Sequence, residues 1–189
     1  MKKILVILFI GIFVMGLAVA VNNSVQAQQK TKAQTGKYVG ENGKEIQIQE
    51  KENNRVKLKV GNHSAECNCN LTQEKVQNKT KLYVKLSNGK NAEIKVMPDT
   101  ASETALARLR LKVCSEENNC TIELKEVGKG EQAELAYEVK RERQSKVFGL
   151  LNKKMQVQAQ IDAENGEVIK TKKPWWAFLA SESEEKIEE

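Results

Sequence analysis

MQVQAQIDAENGEVIK, residues 155–170, decides how this chain is read. Met155, Val157, Ala159, Ile161 and Ala163 alternate with Gln156, Gln158, Gln160 and Asp162. Side chains of a strand point to opposite faces with period 2, so the stretch predicts a half-buried strand. Asn165-Gly166 supplies a turn and Glu167 starts the return strand. Keeping apolar side chains on one face sets the register. A three-residue loop Glu164-Asn165-Gly166 places Ile161 opposite Ile169.

The same rule works upstream. A two-residue loop at Asn88-Gly89 would set Val84 against Glu93. A three-residue loop Ser87-Asn88-Gly89 sets Leu82 against Ile94 and Val84 against Ala92, and keeps one face apolar. Glu41-Asn42-Gly43 likewise places Tyr38 opposite Ile46. Ile46 and Ile48, then Val56, Leu58 and Val60, and later Leu135, Tyr137 and Val139, alternate in the same way. Three loops of one type predict a hairpin-based, antiparallel fold.

One stretch changes period. After Pro98, Ala101, Ala105, Leu106, Leu109 and Val113 recur at helical spacing. Thr100-Ala101-Ser102-Glu103 fits a capping box, so a helix is predicted over 100–112. Leu111 falls outside its apolar stripe.

The chain opens with Lys2 and Lys3, an apolar run of 18 residues at 4–21, and Val25-Gln26-Ala27, a small-residue cleavage site. This pattern predicts export, as a cleaved signal or a retained N-terminal anchor. The expected products are extracytoplasmic. Residues 28–37 read as a polar linker.

The 189 residues carry 31 basic and 25 acidic side chains, a formal charge of +6. Cleavage after Ala27 removes Lys2 and Lys3 and no acid, leaving 29 − 25 = +4. Acids interspersed at that balance describe a solvated surface, so no nucleic-acid partner is expected. At 5% aromatic and 30% charged, the core must rest on Val, Ile and Leu.

All four cysteines lie in the part expected outside the cytoplasm, where disulfides persist. Cys114 and Cys120 flank a short loop and are the expected pair. Cys67 and Cys69 share one face of a predicted strand and are expected free or cross-linked to another chain. C-x-C and C-x5-C spacings do not match zinc knuckles, so no metal is expected.

The order helix, strand, strand, strand and final hairpin, with Ala101–Leu109, Tyr137-Glu138-Val139 and above all Ile161-Asp162-Ala163-Glu164-Asn165-Gly166-Glu167-Val168-Ile169, resembles the PepSY domain of peptidase propeptides. The resemblance covers about 75 residues, and it leaves residues 141–154 as an insertion and the Cys114–Cys120 loop as an addition. It implies a helix packed on an antiparallel sheet, and a role in restraining a protease, here a separate partner. It implies no catalytic residue.

Catalysis has little support in the residues themselves. His63 is the single histidine and sits beside a Gly61-Asn62 turn, where an exposed structural histidine is expected. Glu116 and Glu117 are adjacent acids, in a pattern typical of solvated loops. No catalytic, cofactor-binding or metal-ligating set is expected. A hydrolase working through carboxylates alone is the weakest reading.

Asn62, Asn70, Asn78 and Asn119 head N-x-S/T sequons and are candidate glycosylation sites. Two apolar stretches lack a strand pattern. Phe148, Leu150 and Leu151 lie between Lys146 and Lys153-Lys154. Trp175, Trp176 and Phe178 follow Lys172-Lys173-Pro174. Aromatics beside lysines suit a membrane surface or a partner surface, whereas packing onto the sheet would complete a thin core.

The expected architecture is α+β, mainly antiparallel. A signal or anchor at 1–27 and a linker at 28–37 precede a small β unit at 38–97. A PepSY-like α+β module at 98–173 and an aromatic segment with acidic tail at 174–189 follow. The expected function is a non-catalytic binding or regulatory module acting outside the cytoplasm on a protein partner, a protease among the candidates. The alternative is a structural glycoprotein of the envelope or membrane surface.

Overall fold

The structure, a computed structural model, describes residues 30–182. The export stretch at 1–27, the start of the linker and the acidic tail at 183–189 lie outside the described residues. β1 (Thr31–Lys32), β2 (Gly36–Val39), β3 (Glu45–Glu50), β4 (Val56–Val60), β5 (His63–Cys67), β6 (Leu71–Val76), β7 (Lys79–Lys85) and β8 (Asn91–Glu93) precede α1 (Pro98–Leu109). β9 (Cys120–Val127), β10 (Glu134–Val147), β11 (Leu151–Asp162), β12 (Val168–Lys172) and β13 (Ala180–Glu182) follow it. The fold is α+β and mainly antiparallel.

A nine-stranded sheet runs in the order β12-β11-β10-β9-β5-β4-β3-β2, with β13 added beside β10. A four-stranded sheet runs β1-β6-β7-β8. The stretches expected as separate units at 38–97 and 98–173 share the larger sheet. They join where β5 pairs with β9, Glu66 opposite Glu123 and Cys67 opposite Leu124, the one parallel contact between the described strands. Side chains from both sheets and the helix form one buried cluster.

The alternation in β11 holds. Met155, Val157, Ala159 and Ile161 are fully buried, while Gln156 faces solvent. The loops at 41–43 and 87–89 also form as expected. Tyr38 stands opposite Ile46, Val84 stands opposite Ala92, and Ile94 N–H donates to Leu82 O at 2.8 Å. Gly43 and Gly89 take φ of 77° and 84°, left-handed values that a Cβ would penalise.

The final hairpin differs at its tip. Ile161 stands opposite Val168, and a bulge restores the expected register from Gln160 opposite Lys170 onward. The cause is Ala163. Its N–H donates to Leu135 O at 2.9 Å, and its carbonyl accepts from Lys95 N–H at 3.0 Å and Val96 N–H at 2.9 Å. These long-range bonds take Ala163 out of the hairpin ladder, so the loop becomes 163–166, closed by Asp162 N–H on Glu167 O at 2.8 Å. Ile169 is displaced outward and 38% exposed.

The helix begins two residues before the expected point. Pro98 occupies the first turn, where its missing N–H costs nothing. Thr100 is therefore inside the helix, and there is no side-chain cap. Arg110 adopts the left-handed conformation at the C-terminus, and Leu111 N–H reaches back to Leu106 O at 2.9 Å. Leu111 lies beyond the stop, which explains its departure from the stripe. Ala101 and Ala105, fully buried, let the helix approach the sheet closely.

The expected linker is partly ordered. Thr31 and Lys32 pair with Gln73 and Thr72, and Ala33 is 6% exposed. Backbone pairing holds this segment, with almost no apolar side chains to announce it.

Candidate functional site

Residues 141–154, expected as an insertion, are the outer half of a long ribbon. β10 and β11 pair without a break from Ala136 opposite Asp162 to Val147 opposite Leu151. β9 accompanies β10 only as far as Cys120 opposite Arg141. Beyond that point the ribbon extends as an arm. Its inner positions include Arg141 and Ser145, 4% and 1% exposed. Polar residues at buried positions hide the alternation that would have marked a strand.

The arm ends in a tight tip at Phe148-Gly149-Leu150, closed by Leu150 N–H on Val147 O at 3.2 Å. Phe148 has φ of 53° and Gly149 of 72°. A left-handed backbone at a bulky side chain costs about 1–2 kcal/mol. The conformation leaves the Phe148 ring outside, 68% exposed.

The C-terminal segment comes to this tip. After β12 and Pro174, residues Trp175–Leu179 form a short 3-10 turn. It crosses the ribbon from the β12 side to the far side of β10. There β13 pairs Ala180 with Val147, Lys146 with Ser181 and Ser145 with Glu182. Phe148 N–H donates to Leu179 O at 3.1 Å. β13 thus takes the place beside β10 that β9 leaves.

This strap has two faces. Trp176 and Ala177 pack against the buried cluster. Trp175 and Phe178 are three apart, one turn of a 3-10 helix, so they share a face; they are 80% and 78% exposed. Trp176, partly buried, therefore packs against the core, and packing onto the sheet describes only part of the aromatic stretch. Leu150 and Leu151 are 86% and 60% exposed. The next large apolar side chain among the described residues is Val39 at 45%. The five most exposed ones thus lie on the arm tip and the strap that meets it. Together they offer on the order of several hundred Å² of apolar side chain, beyond scattered surface exposure.

Lysines occur in both segments. Residues 145–154 and 170–180 hold Lys146, Lys153, Lys154, Lys170, Lys172 and Lys173 and not one acid. All six lysines are exposed. Lys154 pairs with Glu142 at 3.0 Å, and Lys173 Nζ donates to Leu109 O at 3.4 Å.

On the sheet face away from the helix, Glu138 is 4% exposed. Its carboxylate accepts from Lys125 Nζ and Lys140 Nζ, each at 2.5 Å, from Gln160 at 3.0 Å and from Gln158. Burial pushes its pKa up, but the bonds from Lys125, Lys140 and Gln160 outweigh burial and hold it at about 2. All the partners are supplied, so this group works as a structural tie across three strands. Tyr137, fully buried, donates to Val96 O at 2.9 Å; burial first and Asp99 second push its phenol far above the ordinary range.

Cys114 and Cys120 are bonded, as expected. Cys67 and Cys69 are also bonded to each other, contrary to expectation. β5 ends at Cys67 and the chain bends at Cys69, with the two Cα atoms 5.3 Å apart. An unbroken strand would hold them roughly 6.6–6.8 Å apart on one side. Asn62, Asn70, Asn78 and Asn119 are all exposed, Asn62 and Asn78 in the β4–β5 and β6–β7 turns. His63 opens β5 and lines a depression of about 480 Å³ with Lys59, Ser115 and Glu117. No group of His, Cys, Asp and Glu among the described residues could hold a metal ion. No helix among them is long and apolar enough to cross a membrane. No family model, curated protein or solved structure matches the chain.

Proposed function

We propose that this chain is a non-catalytic docking module outside the cytoplasm, working through the end of the β10–β11 arm. The observation that carries the reading is the convergence of two apolar stretches, 24 residues apart between Leu151 and Trp175, on one exposed end. A protein gains nothing in stability from exposing Trp175, Phe178 and Phe148, and the left-handed backbone at Phe148 costs it some. Such an arrangement is expected where these side chains meet another surface. The apolar run at 4–21 supports a location at or beyond a membrane.

Cell fractionation tests the reading. The wild-type chain should remain with the envelope fraction, and Trp175→Ser combined with Phe178→Ser should release the processed form. Unchanged retention of that processed variant would contradict it. A protein partner, with a protease as the PepSY resemblance implies, is the second reading. The succession of α1 and the consecutive antiparallel strands β9 to β12 is in keeping with it.

A further inference from the structure

Resting on that reading, we infer that the surface docked by the arm is an anionic lipid bilayer. The strap and tip present two chemistries together. Trp175, Phe178, Phe148 and Leu150 offer rings and aliphatic groups that suit the boundary between headgroups and acyl chains. In sequence, Lys146 and Lys153-Lys154 flank the tip and Lys172-Lys173 lead into the strap, against Glu142, which pairs with Lys154, and Glu182 in β13. A protein groove that took these aromatics would not require lysines on both flanks of the arm tip and again ahead of the strap. A surface of phosphate and carboxylate headgroups would, since each lysine near it adds about 1 kcal/mol of attraction.

The architecture fits shallow insertion. The apolar side chains are held at a tight tip and on one face of a short 3-10 turn, and neither element is long enough to span a bilayer. Trp176 and Ala177 anchor the turn to the core from the other side, so the exposed rings move with the folded body. The arm would seat that body on the lipid surface at a fixed orientation.

The acidic end of the chain bears on this interaction. Residues 183–189 contribute four glutamates and one lysine directly after β13. Their net charge is opposite in sign to that of the arm's lysines. Removing them should strengthen binding.

Vesicle flotation tests the assignment. Every described strand and the helix lie within residues 30–182, so the chain from residue 28 onward carries the whole described fold; circular dichroism checks each variant. The probes are vesicles of phosphatidylcholine alone and of phosphatidylcholine with phosphatidylglycerol. The expected result is flotation with the anionic vesicles, weakened by salt, and little with the neutral ones. Trp175→Ala with Phe178→Ala, and separately Lys153→Glu with Lys154→Glu, should each lower affinity by about tenfold or more. A chain ending at Glu182 should bind more tightly. Equal binding to both vesicle types, or anionic binding that neither variant weakens, overturns the lipid assignment.

No flotation at all also overturns it. If Trp175→Ser with Phe178→Ser still releases the processed chain from cell envelopes, docking stands and its surface is a protein. If neither assay responds, docking falls as well. Sedimentation without vesicles covers the remaining occupant: self-association that the Trp175 and Phe178 variants abolish would assign the patch to a second copy and contradict the lipid proposal.

Discussion

Phe148 and Leu179, 31 positions apart in the chain, are joined by a backbone hydrogen bond of 3.1 Å from the Phe148 N–H to the Leu179 carbonyl. The bond ties the tip of the β10–β11 arm to the C-terminal strap. It sets two aromatic-bearing segments beside each other at one end of the molecule. It also helps to hold Phe148 at φ of 53°, a conformation that glycine adopts without strain.

Phe148→Gly should therefore separate stability from docking. The ring is 68% exposed, so its removal loses little packing. Relief of the left-handed backbone should raise unfolding stability by about 0.5–1 kcal/mol. The same change should weaken vesicle binding. Chemical denaturation beside flotation measures both; a loss of stability would mean that the ring supports the fold.

Glu138 gives a pH prediction with a definite sign. Its folded pKa of about 2 lies below the ordinary carboxylate value of 4.5. A depressed carboxylate adds stability above its unfolded pKa, and that stability is lost as pH falls from about 4.5 toward 2. With Lys125 and Lys140 partly solvated, the contribution is about 1–3 kcal/mol. Glu138→Gln should be less stable at pH 7 and should show a flatter profile between pH 5 and 2. Parallel acid-unfolding curves for the two proteins would refute the role of the tie.

The two disulfides should contribute unequally. By the chain-entropy argument, Cys114–Cys120 adds about 2 kcal/mol and Cys67–Cys69, closing a shorter loop, about 1.5 kcal/mol. Paired serine substitutions read by denaturant midpoint should show both losses, the larger for Cys114→Ser with Cys120→Ser. Mass spectrometry of the unreduced chain should find both pairs within one molecule.

In a host that exports and N-glycosylates the chain, Asn62, Asn70 and Asn78 should carry glycans, because each is an exposed residue in or beside a turn. Asn119 should remain bare, since Cys120 within its sequon is 2% exposed and bonded to Cys114. Site-resolved mass spectrometry decides; a glycan at Asn119 alone would contradict the ordering.

Much of the fold is legible locally. Apolar matching across short loops is enough to place Tyr38 opposite Ile46 and Val84 opposite Ala92. It misjudges the tip of the final hairpin, where Ala163 bonds to Leu135, Lys95 and Val96. No local pattern records such distant claims on one peptide unit. The β5–β9 pairing is equally invisible, since a parallel pair needs no turn between its strands. The arm is hidden for another reason: Arg141 and Ser145 occupy buried positions, so periodicity fails there. The residues of the candidate site stand out as lysine-flanked aromatics, but their convergence depends on β13 pairing with β10, and only the tertiary structure supplies that.

The exposed rings at the arm end are expected to meet a lipid surface, and the chain's two tryptophans allow that contact to be read directly. Replacing Trp176 by Phe leaves Trp175, 80% exposed, as the sole reporter. Anionic vesicles should shift its emission to shorter wavelength, and lipids brominated near the headgroup boundary should quench it more than lipids brominated deep in the chains. Emission that stays at the wavelength of a water-exposed indole, unquenched by either lipid, would contradict the account.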